Sequence, residues 1–127
     1  MPYAYDDQNV FAKILRGEIP CRKVLETEHS LAFEDIGAQA PVHVLVIPKG
    51  AYVNFDHFGA EASDAEIIDL TRAIAAVCKQ SGVSPGDGGD GHRVITNTGR
   101  AGVQEVQHMH VHVLGGRILG PMLPARA

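Results

Sequence analysis

Apolar positions along the chain recur at two spacings, and the change from one to the other lays out the elements. Near the start, Val10, Phe11, Ile14 and Leu15 recur at three- and four-residue steps. That predicts a short helix over about 9–16, capped by Asp6 or Asp7 and ended by Gly17. Two short runs, 22–26 and 31–34, then read as strands around a polar loop at 27–30. Beyond a turn at 36–40, the run Val42-His43-Val44-Leu45-Val46-Ile47 is apolar at every position but one, as a central strand covered on both faces would be. His43 is then a buried polar group that needs a partner. Ser63-Asp64-Ala65-Glu66 has the form of a capping box, and Ile67, Leu70, Ile74 and Val77 continue from it as the inner face of a long helix to about residue 80. The glycine-rich run 81–91 reads as a loop, 92–97 as a strand and 98–104 as a turn. Strict alternation follows: His108-Met109-His110-Val111-His112-Val113-Leu114. A period of two belongs to a strand, with the three imidazoles on one face and Met109, Val111 and Val113 on the other. An irregular tail is expected over 115–127.

The order of helix, strands, long helix and strands, with short turns between strands, predicts one α+β domain spanning 1–127. Its sheet should be mainly antiparallel, with helices packed on one side. A chain of 127 residues, 45 % hydrophobic and 20 % charged, is long enough for a single core and shows no repeat. A formal charge of -4 and no Lys/Arg cluster argue against a nucleic-acid polymer as partner, though not against a single nucleotide. The N-terminal segment lacks the features of a secretory signal and no apolar run is long enough to span a membrane, so a cytoplasmic location is expected. Cys21 and Cys78 form no C-x-x-C pair and read as reduced structural residues.

Three chemistries fit a strand face lined by imidazoles. It is a solvated or hydrogen-bonded surface; or it is part of a metal site, since His-x-His is a ligand spacing and His43 or His92 can supply a further ligand; or it performs covalent phosphoryl transfer. In the last case the middle histidine is best placed to attack. Asn97, Gly99 and Gly102, just upstream, can form a turn that aims backbone amides at phosphate.

The segment NTGRAGVQEVQHMHVHVLGGR, residues 97–117, resembles the signature of the histidine triad (HIT) superfamily, in particular its Hint branch of nucleotide-binding phosphoramidases. NVFAKILRGEIP, LAFEDI and APVHVLVIPK resemble that branch's N-terminal helix, ribose-contacting strand and central strand in the same order, so nearly the whole chain is covered. The resemblance implies a HIT-like fold with the sheet continued across a homodimer, a purine mononucleotide at each site, and hydrolysis of nucleoside phosphoramidates without a metal or other cofactor. By position, His110 corresponds to the nucleophile, His112 to the phosphate-contacting histidine, and His108 to a supporting residue hydrogen-bonded to His43. Asp35 matches the carboxylate that accepts the ribose hydroxyls. Asn97, Gln104 and Glu105 fall in the nucleotide-binding loop, and Phe11, Ile14, Ile19, Phe33, Ile36 and Leu45 match apolar positions around the base.

Several positions depart from the common pattern. Glu105 stands where many animal members have serine, which removes a hydroxyl donor and brings a carboxylate near the phosphate. Val103 replaces a frequent glycine, and Ala51 a frequent histidine. Asp7 and Val10 occupy the positions where some relatives carry zinc-binding cysteines, so no such zinc site is expected. Other branches of the superfamily hydrolyse or transfer dinucleoside polyphosphates and commonly carry glutamine within the triad motif, where this chain has histidine at all three positions. A nucleotide-binding adaptor without turnover is the remaining alternative.

Overall fold

The computed structural model describes residues 3–124. The first two residues of the predicted domain and the last three of its tail lie outside the described residues. Helix α1 (Val10–Leu15) leads into strands β1 (Lys23–Glu26), β2 (Ser30–Glu34) and β3 (Val42–Pro48). Helices α2 (Phe55–Glu61) and α3 (Asp64–Gln80) follow, then a single 3-10 turn at Pro85–Asp87 and strands β4 (His92–Ile95) and β5 (Val111–Gly115). The strands form one antiparallel sheet in the order β1-β2-β3-β5-β4, as the α+β reading predicts.

Side-chain parity divides the sheet into two faces. Ala32, Val44, Val46, Met109, Val111 and Val113 face α2 and α3 and pack with Phe58, Leu70, Ala73, Val77 and Cys78. The intervening residues Leu31, Phe33, Leu45 and Ile47 project the other way and pack with Phe11 of α1. This second face carries the histidines. Helix α3 starts at the expected capping box, in which Ser63 accepts from the Glu66 amide and Glu66 accepts from the Ser63 amide. It is joined to the β1-β2 hairpin by Asp69, whose Oδ2 accepts from Thr27 Oγ1 at 2.6 Å and Ser30 Oγ at 2.8 Å.

Three local expectations are corrected. The first helix is capped by Asn9 and not by Asp6 or Asp7: Asn9 Oδ1 accepts from the Ala12 amide at 2.9 Å. Helix α2 was not predicted. Its seven residues include Gly59 and offer only one apolar pair at helical spacing, Phe55 and Phe58, and its clearest sequence sign is the Asn54 cap, which accepts from the His57 amide. The histidine strand enters the ladder at Val111 and not at His108. Ahead of that point the backbone finds other partners: the Met109 amide donates to the Tyr52 carbonyl at 2.8 Å, and Thr96 Oγ1 donates to the His110 carbonyl at 2.8 Å. The alternation survives, with Met109 1 % exposed and His108 and His110 buried on the other side.

Candidate active site

The partner atoms around each imidazole assign its tautomer, because a neutral ring has one N–H and one lone pair. His110 Nδ1 lies 2.7 Å from its neighbour's backbone oxygen, the carbonyl of His108. A carbonyl only accepts, so Nδ1 carries the proton and Nε2 the lone pair. His108 Nε2 donates to the Pro48 carbonyl at 2.8 Å, and its Nδ1 accepts from the hydroxyl of Tyr5 at 2.6 Å. His43 Nδ1 accepts from the Gln39 amide at 3.1 Å, which places the His43 proton on Nε2. That proton faces His112 Nδ1 at 2.9 Å and Asp35 Oδ2 at 3.3 Å. Accepting at Nδ1 leaves His112 with its proton on Nε2.

These bonds correct the expected pairing of His43 with His108. In the β3-β5 register, Leu45 stands opposite His112 and His43 opposite Leu114, so His43 reaches His112 diagonally. His108 lies ahead of the ladder and is held instead by Tyr5 and Pro48.

Burial sets the charge of the triad. Loss of solvent pulls His108 down to about 4, with His110 adding to the effect. Burial likewise brings His112 to about 4, helped by the neighbouring His110 and His43 rings. His110 is also lowered by burial, against opposing influences from the His108 carbonyl, Asp35 and Glu105. All three rings are therefore neutral at neutral pH.

A cavity of about 370 Å³ opens in front of His110 and His112. It brings together most of the residues singled out in the sequence: Phe11, Ile14, Ile19, Phe33, Asp35, Ile36, Leu45 and Glu105 all line it. Ile36 is fully exposed at its mouth, whereas Phe11, Phe33 and Leu45 are buried at its back. Phe11 also presents its ring edgewise to His110, with centroids 5.0 Å apart. His43 and His108 stand behind the lining. Asn97 and Gln104 lie outside it and brace the preceding loop. Asn97 Nδ2 donates to the Gly102 carbonyl at 2.8 Å; Gln104 Nε2 donates to Val53 and Val106 carbonyls, and its Oε1 accepts from the Gly99 amide. A side chain on Gly102 would meet the Thr98 carbonyl oxygen at 2.5 Å, so the loop requires glycine there. Its neighbour Val103 sits at φ 58, a left-handed conformation unfavourable for a branched side chain. Arg22, Glu34 and Val106 line the cavity without having been singled out, and Tyr5 supports it from behind. Parity within β2 sends Glu34 to the face of Ala32, opposite the histidines, so alternation could not have identified it, and nothing in the sequence pattern marks Tyr5.

Asp35, His43 and His112 each offer one ligand atom within 4.8 Å of the others, so among the described residues the geometry supplies Asp35 where the sequence offered His92 as a metal ligand. The bonding around His43 opposes that use. Its Nδ1 lone pair already accepts from Gln39, so coordination through Nε2 would require either an imidazolate or loss of the amide bond. Among the described residues, no helix is long and apolar enough to cross a membrane.

The chain is similar to known proteins in sequence and in fold. A HIT-like protein of Azospirillum brasilense is 56 % identical over 97 % of this chain and 98 % of its own length. A purine nucleoside phosphoramidase of Escherichia coli is 43 % identical, with 92 % of this chain and 94 % of the relative covered. Among solved structures, a HIT family hydrolase from Clostridium thermocellum superposes with a TM-score of 0.79 at 36 % identity, over 94 % of this chain and 99 % of that one. The HIT domain family itself matches residues 16–119, a span that holds the whole triad and excludes Tyr5. With sequence and fold in agreement, the chain belongs to the HIT domain family.

Proposed function

We propose that the protein hydrolyses purine nucleoside phosphoramidates through a nucleotidyl intermediate on His110. The observation that carries this reading is the bond from His110 Nδ1 to the His108 carbonyl, which reserves the Nε2 lone pair of a cavity-lining ring for attack. In the first step Nε2 bonds to phosphorus and the P–N bond breaks, its electron pair going to the amine nitrogen, which takes up a proton. The positive charge arising on the imidazole is shared through Nδ1–H with the His108 carbonyl. Glu105, exposed at the cavity, is the carboxyl group proposed to take a proton from solvent and pass it to the amine. His112 donates from Nε2 to a phosphoryl oxygen. In the second step water attacks phosphorus, the P–Nε2 bond breaks, and the nucleoside monophosphate leaves while the water proton returns along the same relay.

Asp35 is assigned to the ribose hydroxyls. Its oxygens already accept from the Gly37 amide and face His43, and a carboxylate retains lone pairs for two further donors. The apolar wall of Phe11, Ile14, Ile19, Phe33, Ile36 and Leu45 is assigned to the base. A cavity of about 370 Å³ is at the small end of ligand sites, which run from about 300 to 1,000 Å³. That supports a mononucleotide over a dinucleoside polyphosphate. The relative that is a phosphoramidase supports the same choice. We extend the reading to a homodimer, because β4 is an edge strand of the sheet and carries Val94, 45 % exposed.

The test is turnover of a fluorogenic adenosine phosphoramidate. Activity should be lost in His110→Ala and should be insensitive to a chelator; turnover that survives the substitution overturns the reading. Faster turnover of a dinucleoside polyphosphate would favour the other enzyme class, and purine nucleotide binding with no turnover would favour an adaptor.

A further inference from the structure

We propose that Tyr5 is a positioning residue for the nucleophile, acting through His108. This rests on His110 being the nucleophile, and it adds a residue from a segment that does not line the cavity. The wholly buried His108 ring has one orientation in which both nitrogens are satisfied. Its Nε2 must carry the proton, because the Pro48 carbonyl 2.8 Å away can only accept. Its Nδ1 then needs a donor, and the hydroxyl of Tyr5 stands at 2.6 Å. Packing reinforces the bond: the Tyr5 ring meets the His108 ring edgewise, with centroids 5.6 Å apart.

His108 is thus clamped between the N-terminal segment and the end of β3. Its backbone carbonyl is the acceptor that orients His110 at 2.7 Å. As Nε2 attacks phosphorus, charge develops on the His110 ring and the bond from Nδ1–H to this carbonyl strengthens, so the carbonyl's position matters most in the transition state. Removing the Tyr5 hydroxyl leaves a buried lone pair on His108 without a donor and frees the ring to shift. The His108 carbonyl then shifts with it. The His108 side chain bonds only Tyr5 and Pro48 and meets the base wall at one edgewise contact with Phe11, so substrate affinity changes little.

Tyr5→Phe keeps the ring and deletes the bond. The expected result is a fall in kcat of about ten-fold, less than the roughly hundred-fold that a full 1 Å misplacement can cost, with KM within about two-fold of the wild type. In ¹⁵N-labelled protein, the His108 Nδ1 resonance should move toward that of an unbonded ring nitrogen, and the hydrogen-bonded Nδ1–H proton of His110 should shift or broaden. Unchanged kcat with unchanged His108 and His110 signals overturns the proposal. So does a loss confined to KM or to thermal stability, which is what a merely structural tyrosine would give. If the wild type turns over no phosphoramidate, the proposed function falls, while the His110 Nδ1–H signal in Tyr5→Phe still decides whether Tyr5 positions that ring.

Discussion

A neutral imidazole has one lone pair and one N–H, so each histidine of the site is left with the role that its buried partner does not take. His110 donates its N–H to a carbonyl and keeps a nucleophilic lone pair; His112 accepts a hydrogen bond from His43 and keeps a donor. Neutrality has a consequence for stability. The folded chain holds His108 and His112 at about 4, against 6.5 for an unperturbed ring. Between those values the unfolded chain binds protons that the folded chain refuses, so stability rises with pH across this window and is lost as pH falls from 6.5 toward 4. Urea midpoints measured from pH 7.5 to 4.5 should therefore decline on acidification, and His112→Gln should decline less steeply; equal slopes would contradict the assignment. Histidine parity was legible in the sequence, because alternation alone decides which face a side chain takes. The partner of each ring was not. Parity is blind to register, and it is register that sets His43 beside His112 and leaves His108 to a tyrosine over a hundred positions away.

At the level of elements, the long helix illustrates a segment whose start, inner face and end are all written locally. Ser63 and Glu66 close its first turn, and the apolar residues recur at helical steps. The short α2 has only its Asn54 cap to announce it, and is held by tertiary packing of Phe58 rather than by propensity. The bond set of Asp69 was equally hidden, since it joins α3 to a hairpin some 40 positions away. Its carboxylate is held below the usual range by Thr27, Ser30 and the His29 amide, despite the opposing effect of burial. Asp69→Ala leaves the hydroxyl of Ser30, 1 % exposed, without its acceptor. A loss of about 1–3 kcal/mol in a denaturant melt is expected, with the catalytic face unaffected. A loss of turnover in proportion to unfolding would agree with this; a specific loss in folded protein would not.

Across the whole molecule, the sheet separates the work of its two faces: α2 and α3 complete the hydrophobic core on one, and α1 closes the cavity on the other. Both outer strands, β1 and β4, expose an edge, and the proposed homodimer uses β4. Val94→Lys, which puts a charge beside that edge, should shift the protein toward monomer in light scattering at micromolar concentration. A mass unchanged from that of the wild-type dimer would remove β4 from the interface, and a monomeric wild type would remove the dimer. The strand β5 links the two faces in a further sense. The same two-residue rhythm that sends Met109, Val111 and Val113 into the core turns His108, His110 and His112 to the other face, where the last two line the cavity. A single inserted or deleted codon within this stretch would exchange the two sets downstream of it, turning apolar side chains toward the cavity and an imidazole toward the core. Descendants of this gene can therefore vary the residues of the stretch one at a time, but can change its length there only in steps of two.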